Sequence, residues 1–244
     1  MVPVDNGITM YRPSTNQMVS FIKNILFYST VVLMGLVLYM VFMWVPTDAN
    51  LGISQRIFYV HVPLGMIGLL AVVLVAFGSF MHLITRGGKW DSLAHAAAEL
   101  GVLYATLILV TGSMWAKPAW GVWWTWDAKL TTTLVLWFIY VGYLMLRAYG
   151  PGGSQGAVYA SVDALIGIIV APIIYLATVL WRTAHPELIM GPVAESGAFE
   201  DPRMELAFRV SLMAFALLFV YLLIESYSLK RVEADTDELY RYDN

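Results

Sequence analysis

Six apolar segments, each long enough to cross a lipid bilayer, dominate this sequence. A helix needs about 20 residues to span the hydrocarbon core of a membrane. The segments lie at about 22–45, 62–84, 94–114, 130–147, 158–181 and 206–228. Of the 244 residues, 59 % are hydrophobic and only 13 % are charged, and the mean hydropathy is +0.70, which excludes an ordinary soluble globular domain. The sequence therefore predicts an all-α, polytopic integral membrane protein with six transmembrane helices.

The stretches between these segments are short, which predicts a single six-helix membrane domain over residues 1–229. The first twenty residues lack the basic region, apolar core and small-residue cleavage site of a secretory signal, so the first span is expected to stay in the protein. Residues 230–244 are acidic and polar and are expected to form a solvated, partly disordered cytoplasmic tail.

The chain contains no cysteine. Thiol redox chemistry, thiolate metal ligation and a CxxCH haem-attachment site are therefore excluded for this chain. If the protein handles haem, it holds haem without a covalent bond to cysteine.

The distribution of Lys and Arg predicts the orientation in the membrane. With six spans both termini share a side, and that side collects eight basic residues: Arg12, Lys23, Arg86, Lys89, Arg147, Lys230, Arg231 and Arg241. The opposite side collects six: Arg56, Lys117, Lys129, Arg182, Arg203 and Arg209. Because cytoplasmic loops carry the excess of positive charge, we expect cytoplasmic termini.

The same parity of six spans sorts the four histidines. His61 and His185 fall on the extracytoplasmic side, whereas His82 and His95 fall on the opposite side. Taken alone, a histidine at a helix end is more often a solvated or interface residue than a ligand. Two such histidines beside a group of aromatic residues are, however, what a haem site requires, with one imidazole on each face of the iron.

A tryptophan-rich segment, WAKPAWGVWWTWDAK over residues 115–129, lies on the side of His61 and His185 and holds five of the nine tryptophans. If the stretch before the fourth span is helical, the side chains of Trp120, Trp123, Trp124 and Asp127 share one face, with Pro118 in the first helical turn. Gly121 would allow a ligand to approach the backbone closely. The cations available on this side for haem propionates are Arg56, Lys117, Lys129 and Arg182. The alternative is that this segment is part of an interfacial aromatic belt. We assign Trp44 and Trp181, at the ends of the first and fifth spans, to such a belt.

The run VTGSMWAKPAWGVWWTWDAKLTT resembles the WWD signature of the haem-handling superfamily, and RIFYVHVP at 56–63 is similar to the first histidine segment of the haem exporter protein C (CcmC) family. The resemblance implies that haem b is bound transiently and non-covalently, with His61 and His185 as axial ligands and Arg56 suited to a propionate. It implies a haem platform formed by Trp115, Trp120, Trp124, Trp126 and Asp127. The family usually has Arg where this chain has Lys129, which replaces a bidentate carboxylate partner by a point charge.

The same resemblance implies a function and a location. Such proteins present haem at the outer face of the bacterial inner membrane to the haem chaperone CcmE, together with CcmA, CcmB and CcmD, and are not enzymes. Two alternatives stay open, namely a permease subunit of an ABC-type transporter and a haem–apocytochrome c synthase. No charged residue falls in the middle of a predicted span, which disfavours a path for charged solutes, and the sequence has no P-loop pattern.

Overall fold

The computed structural model describes residues 13–181, 185, 199 and 201–242. The helices of this part of the chain are α1 Pro13–Tyr39, α2 Phe58–Thr85, α3 Gly88–Trp120, α4 Ala128–Tyr149, α5 Ser154–Leu180 and α6 Pro202–Tyr242. A π-helical turn, Met40–Trp44, follows α1, and a 3-10 turn, Ile53–Ile57, precedes α2. All six predicted spans are present as helices long and apolar enough to cross a membrane.

Helices α2 and α3 form the centre of the bundle because small residues let their backbones approach closely. A Cβ built on Gly78 would lie 3.0 Å from the backbone nitrogen of Ala94, and Ala71 and Ala97 are fully buried. This pattern of small residues is typical of helix contacts in membranes, where close packing replaces the hydrophobic effect. Around this centre, α4 packs on α5 and α1 packs on α6.

The end of the bundle where α1 begins and α6 ends is tied together by ion pairs. Arg147 of α4 forms a salt bridge with Asp91 of α3, with a nitrogen–oxygen distance of 2.9 Å, and Lys230 of α6 forms one with Glu99 of α3 at 2.7 Å. His82 and His95 lie at this end, His82 against the carbonyl of residue 87 and His95 3.7 Å from Glu99. The structure thus confirms that this histidine pair is separated from the other pair.

All six helices are longer than their predicted spans, and α3 and α6 exceed them by the most. Helix α3 continues six residues beyond 114, to Trp120, and α6 continues to Tyr242. The expectation of a partly disordered tail is therefore wrong for residues 230–242, which are helical. Salt bridges one helical turn apart support this extension, from Lys230 to Glu233 and from Arg231 to Asp235.

Candidate functional site

A cavity of about 430 Å³ lies between α2, α3, α4 and α5. Along α2 its lining runs from His61 to Val72, a depth of about 16 Å at 1.5 Å of helical rise per residue. The lining is mainly aliphatic and aromatic, and its charged or imidazole side chains, Lys129, His61 and His185, gather at the end occupied by the tryptophan-rich segment. The volume falls in the range of small-molecule and cofactor sites.

His61 and His185, which are predicted to lie on the same side of the membrane, meet in the cavity. The centroids of the His61 and His185 rings are 6.2 Å apart, and the ring planes are tilted by 32°. His61, in the first turn of α2, is only 7 % exposed. Residues 124 positions apart in sequence thus line the same cavity, which confirms that they share an end of the bundle.

Three residues of α3 hold the His61 ring. Its Nδ1 lies 2.9 Å from the hydroxyl oxygen of Thr111, and the ring meets Trp115 edge-on at a centroid distance of 5.8 Å. Between them, Gly112 leaves room for the imidazole, because a Cβ there would lie 3.0 Å from Cε1 of His61. Sequence reasoning missed Thr111 and Gly112; the one signal was a glycine near the end of an apolar span, a turn before Trp115.

His185 packs edge-on against Trp120, with ring centroids 5.9 Å apart. Burial lowers the pKa of His185 to about 3, and the positive charge of Lys129 and the neighbouring His61 act in the same direction. A lowered pKa keeps the imidazole neutral at physiological pH, and a metal ion requires the neutral ring as a ligand.

The tryptophan-rich segment is not one helix, so the predicted shared face of Trp120, Trp123, Trp124 and Asp127 is wrong. Helix α3 ends at Trp120 because Gly121 adopts a left-handed conformation, with φ of 77°, and caps the helix. Pro118 lies inside this helix rather than at the first turn of another. Residues 121–127 connect α3 to α4 without helical structure.

This backbone path divides the five tryptophans into two groups. Trp115, Trp120 and Trp124 line the cavity, whereas Trp123 is 60 % exposed and Trp126 is 76 % exposed. Trp126 still meets Trp124 edge-on at 5.7 Å. Of the four tryptophans in the predicted haem platform, Trp115, Trp120 and Trp124 therefore face the cavity and Trp126 faces outward.

Asp127 is the N-cap of α4. Its Oδ1 accepts a hydrogen bond from the backbone nitrogen of Leu130 at 3.0 Å, and its Oδ2 accepts one from the hydroxyl of Thr125 at 3.2 Å. A carboxylate in this position satisfies an otherwise unpaired helix N–H group and suits the positive end of the helix dipole. Asp127 and Gly121 do not line the cavity.

Lys129 is the one member of the predicted cation set, among the described residues, that lines the cavity. Arg56 instead lies over the ring of Phe42, 5.7 Å from its centroid. Lys117 donates a hydrogen bond to the carbonyl of Gly121 at 2.8 Å, and Arg182 lies outside the described residues. Among the residues that the structure describes, the positive charge at the cavity therefore comes from the ammonium group of Lys129.

The donor set of the cavity fits a metal that brings most of its own ligands. Within residues 13–181, 185, 199 and 201–242, no group of three or more His, Cys, Asp or Glu could hold a bare metal ion. Two imidazoles with ring centroids 6.2 Å apart match instead the axial ligation of a porphyrin iron, which takes one imidazole on each face and whose four remaining ligands belong to the macrocycle. The fold and the cavity thus define a polytopic helical membrane protein suited to a flat metal complex.

Comparison with known proteins identifies the family. Residues 10–240 match the family "Heme exporter protein C". The chain is 35 % identical over 178 residues to the haem exporter protein C of Escherichia coli, covering 72 % of this chain and 70 % of that protein. It is 30 % identical over 212 residues to that of Haemophilus influenzae, covering 85 % and 84 %. A CcmC-like mitochondrial protein of Marchantia polymorpha is 39 % identical over 143 residues, which is 58 % of this chain and 60 % of that protein. This chain belongs to the haem exporter protein C family.

Proposed function

We propose that this protein binds haem at the end of the cavity marked by His61 and His185 and delivers it for cytochrome c biogenesis. The observation that carries the proposal is the pair of imidazoles, with ring centroids 6.2 Å apart, that line an apolar cavity of about 430 Å³. The family of haem exporters to which the chain belongs supports the same cargo.

Each part of the cavity has a role in this proposal. His61 and His185 would be the axial ligands, and each ring packs edge-on against a tryptophan, His61 against Trp115 and His185 against Trp120. Trp120 and Trp124 flank the porphyrin with apolar surface. The ammonium group of Lys129 pairs with a propionate. Because the chain has no cysteine, it cannot form a thioether bond to haem, and in this proposal it holds haem b non-covalently and can release it.

The outward tryptophans supply the surface for transfer. Trp123 and Trp126 lie next to the cavity wall but expose most of their surface, and exposed aromatic residues are enriched at protein interfaces. We propose that they dock the haem chaperone CcmE at the extracytoplasmic face of the inner membrane, with CcmA, CcmB and CcmD as complex partners. In this role the protein is a carrier and not an enzyme.

The visible spectrum of the purified, haem-loaded protein tests the axial ligands. His61→Ala and His185→Ala should each reduce haem retention and convert the iron from low spin to high spin, and added imidazole should partly restore the low-spin spectrum. His82→Ala is the matched control, since His82 is also a buried histidine of α2 but lies at the opposite end. Unchanged spectra in both of the first two variants would contradict the proposal.

Cysteine labelling tests the orientation, because the chain has no native cysteine. Val122, in the connection between α3 and α4, and Tyr149, at the end of α4, are both exposed and lie at opposite ends of the bundle. Val122→Cys should react with an impermeant maleimide applied to intact cells, and Tyr149→Cys should react only after lysis. The reverse result would place the haem site in the cytoplasm and contradict delivery outside it.

A further inference from the structure

The hydroxyl of Thr111 has three polar neighbours but only one proton. Its oxygen lies 2.7 Å from the carbonyl oxygen of Leu107, 3.4 Å from that of Ile108 and 2.9 Å from Nδ1 of His61. Both carbonyl groups can only accept hydrogen bonds. The direction of the bond between Thr111 and His61 therefore depends on where the hydroxyl proton points.

The short distance to Leu107 decides this direction. Two oxygen atoms 2.7 Å apart are at the usual separation of an O–H···O hydrogen bond, and without a proton between them their lone pairs would repel. Threonine in a helix commonly donates its proton to the carbonyl one turn earlier in this way. The proton thus goes to Leu107, and the oxygen of Thr111 offers a lone pair to His61.

A second threonine of α3 shows the same arrangement with a partner whose role is fixed. Thr106 donates to the carbonyl of Val102 at 2.7 Å and accepts from Nε1 of Trp137 at 2.8 Å. An indole N–H can only donate, so this hydroxyl must be an acceptor toward its side-chain neighbour. The distances at Thr111 are almost the same, at 2.7 and 2.9 Å.

We propose that Thr111 is a positioning residue that holds neutral His61 in the tautomer with its proton on Nδ1, so that Nε2 is the nitrogen that binds haem iron. A neutral imidazole carries an N–H proton on only one of its two nitrogens. When that N–H donates a hydrogen bond to the protein, the other nitrogen is left with the lone pair that binds the metal. The bond from Nδ1–H to Thr111 also makes Nε2 a stronger ligand. This inference rests on the proposed function, because it assumes His61 as a haem ligand.

The neighbours of Thr111 keep the ring from turning out of this arrangement. Cε1, the ring atom between the two nitrogens, faces Gly112, and the ring packs edge-on against Trp115. A half-turn of the ring would bring a carbon atom, which cannot form the hydrogen bond, to the oxygen of Thr111. The ring plane and the tautomer are thus set by the same helix.

The first test is nitrogen NMR of the haem-free protein labelled with ¹⁵N-histidine, with the His61 signals assigned by their loss in His61→Gln. Nδ1 of His61 should appear protonated and Nε2 unprotonated. Thr111→Val, which keeps the side-chain shape but removes the hydroxyl, should mix the two tautomers, and Thr111→Ser should preserve the parental state. Thr106→Val is the matched control on α3 and should leave the His61 signals unchanged.

The second test is the haem-loaded protein. Loss of a partner behind a metal-bound histidine typically weakens metal binding roughly 10-fold to 100-fold. Thr111→Val should therefore weaken haem binding by about that factor and shift the midpoint potential of the iron to more positive values, while Thr111→Ser retains both. A merely structural role of the hydroxyl would not move the potential.

Two results would overturn the proposal. The first is a proton on Nε2 of His61 in the haem-free parent protein. The second is a Thr111→Val variant whose His61 tautomer, haem affinity and midpoint potential all equal those of the parent. The NMR result on the parent keeps the test valid even if Thr111→Val fails to fold. Failure of the proposed function looks different, because His61→Ala and His185→Ala would then both leave the haem spectrum unchanged.

Discussion

The contact between Gly112 and His61 leads to a prediction about haem binding. In Gly112→Ala the new methyl group would lie 3.0 Å from Cε1 of His61, 3.7 Å from Nδ1 and 3.8 Å from Nε2. Carbon atoms in van der Waals contact are about 3.5–4.0 Å apart, so the ring must move by about 0.5 Å or more. It cannot do so freely, because Thr111 holds Nδ1 and Trp115 packs against the ring.

The expected magnitude follows from the cost of overpacking. An extra methylene in a well-packed interior costs about 1–3 kcal/mol, and if this strain opposes the ligated position of His61, haem affinity falls roughly 5-fold to 150-fold. Replacement of a helical glycine by alanine also favours the helix by about 1 kcal/mol. Thermal stability without haem should thus change little, while haem binding weakens.

The assay is a haem titration of the detergent-solubilised protein followed by visible absorbance, with thermal denaturation measured in parallel. Gly35→Ala is the control, because Gly35 lies in α1 and a Cβ there meets nothing within 4 Å. It should bind haem as the parent does. Parental affinity and spectrum in Gly112→Ala would refute the idea that this glycine makes room for the ligand imidazole.

Three further predictions concern neighbouring features of the site. Asp127→Ala should destabilise the protein by about 1 kcal/mol through loss of the α4 N-cap, and Asp127→Asn should restore most of that stability in thermal denaturation. In the haem-free protein the pKa of His185 in the folded state, about 3, lies below its usual 6.5. Because the unfolded chain takes up a proton on this ring at a higher pH than the folded protein does, the contribution of His185 to the free energy of unfolding should be full above pH 6.5 and should fall as the pH drops toward 3. NMR should show no titration of this ring between pH 5 and 8. Trp124→Ala should reduce haem retention, measured by absorbance, whereas Trp126→Ala should retain haem but load less of it onto CcmE, measured by haem staining of the chaperone.

The six spans could be predicted because their signal is local. An uninterrupted apolar stretch of about 20 residues has few alternatives to a membrane helix, and the number of spans then fixes which loops share an end. The number of spans alone predicts that His61 and His185 lie at the same end of the bundle. Their actual contact, at a centroid distance of 6.2 Å, confirms that topology can bring together residues far apart in sequence.

The ends of the helices could not be predicted in the same way. Apolar and aromatic residues continue from α3 into the tryptophan-rich segment, so hydropathy does not mark the end at Trp120; the left-handed conformation of Gly121 does. The resemblance places Asp127 in the haem platform, whereas in the structure its carboxylate caps α4. Such roles depend on backbone geometry at a single residue.

The contacts of His61 with α3 were also beyond the sequence pattern. Thr111 and Gly112 lie some 50 residues from His61, and nothing in their spacing shows that they face α2. Their roles follow from the close approach of two helices through small residues. A glycine in an apolar span indicates only that something approaches closely, not which side chain does so.

The connection between α3 and α4 is fixed at both of its ends. At one end Lys117 bonds the carbonyl of Gly121, and at the other Asp127 caps α4. Only the short stretch between these anchors carries the outward indoles of Trp123 and Trp126. In the proposed transfer, a chaperone that recognises those indoles would therefore be held at a fixed distance from His61 and His185, and residues 121–127 would set the distance that haem crosses on leaving.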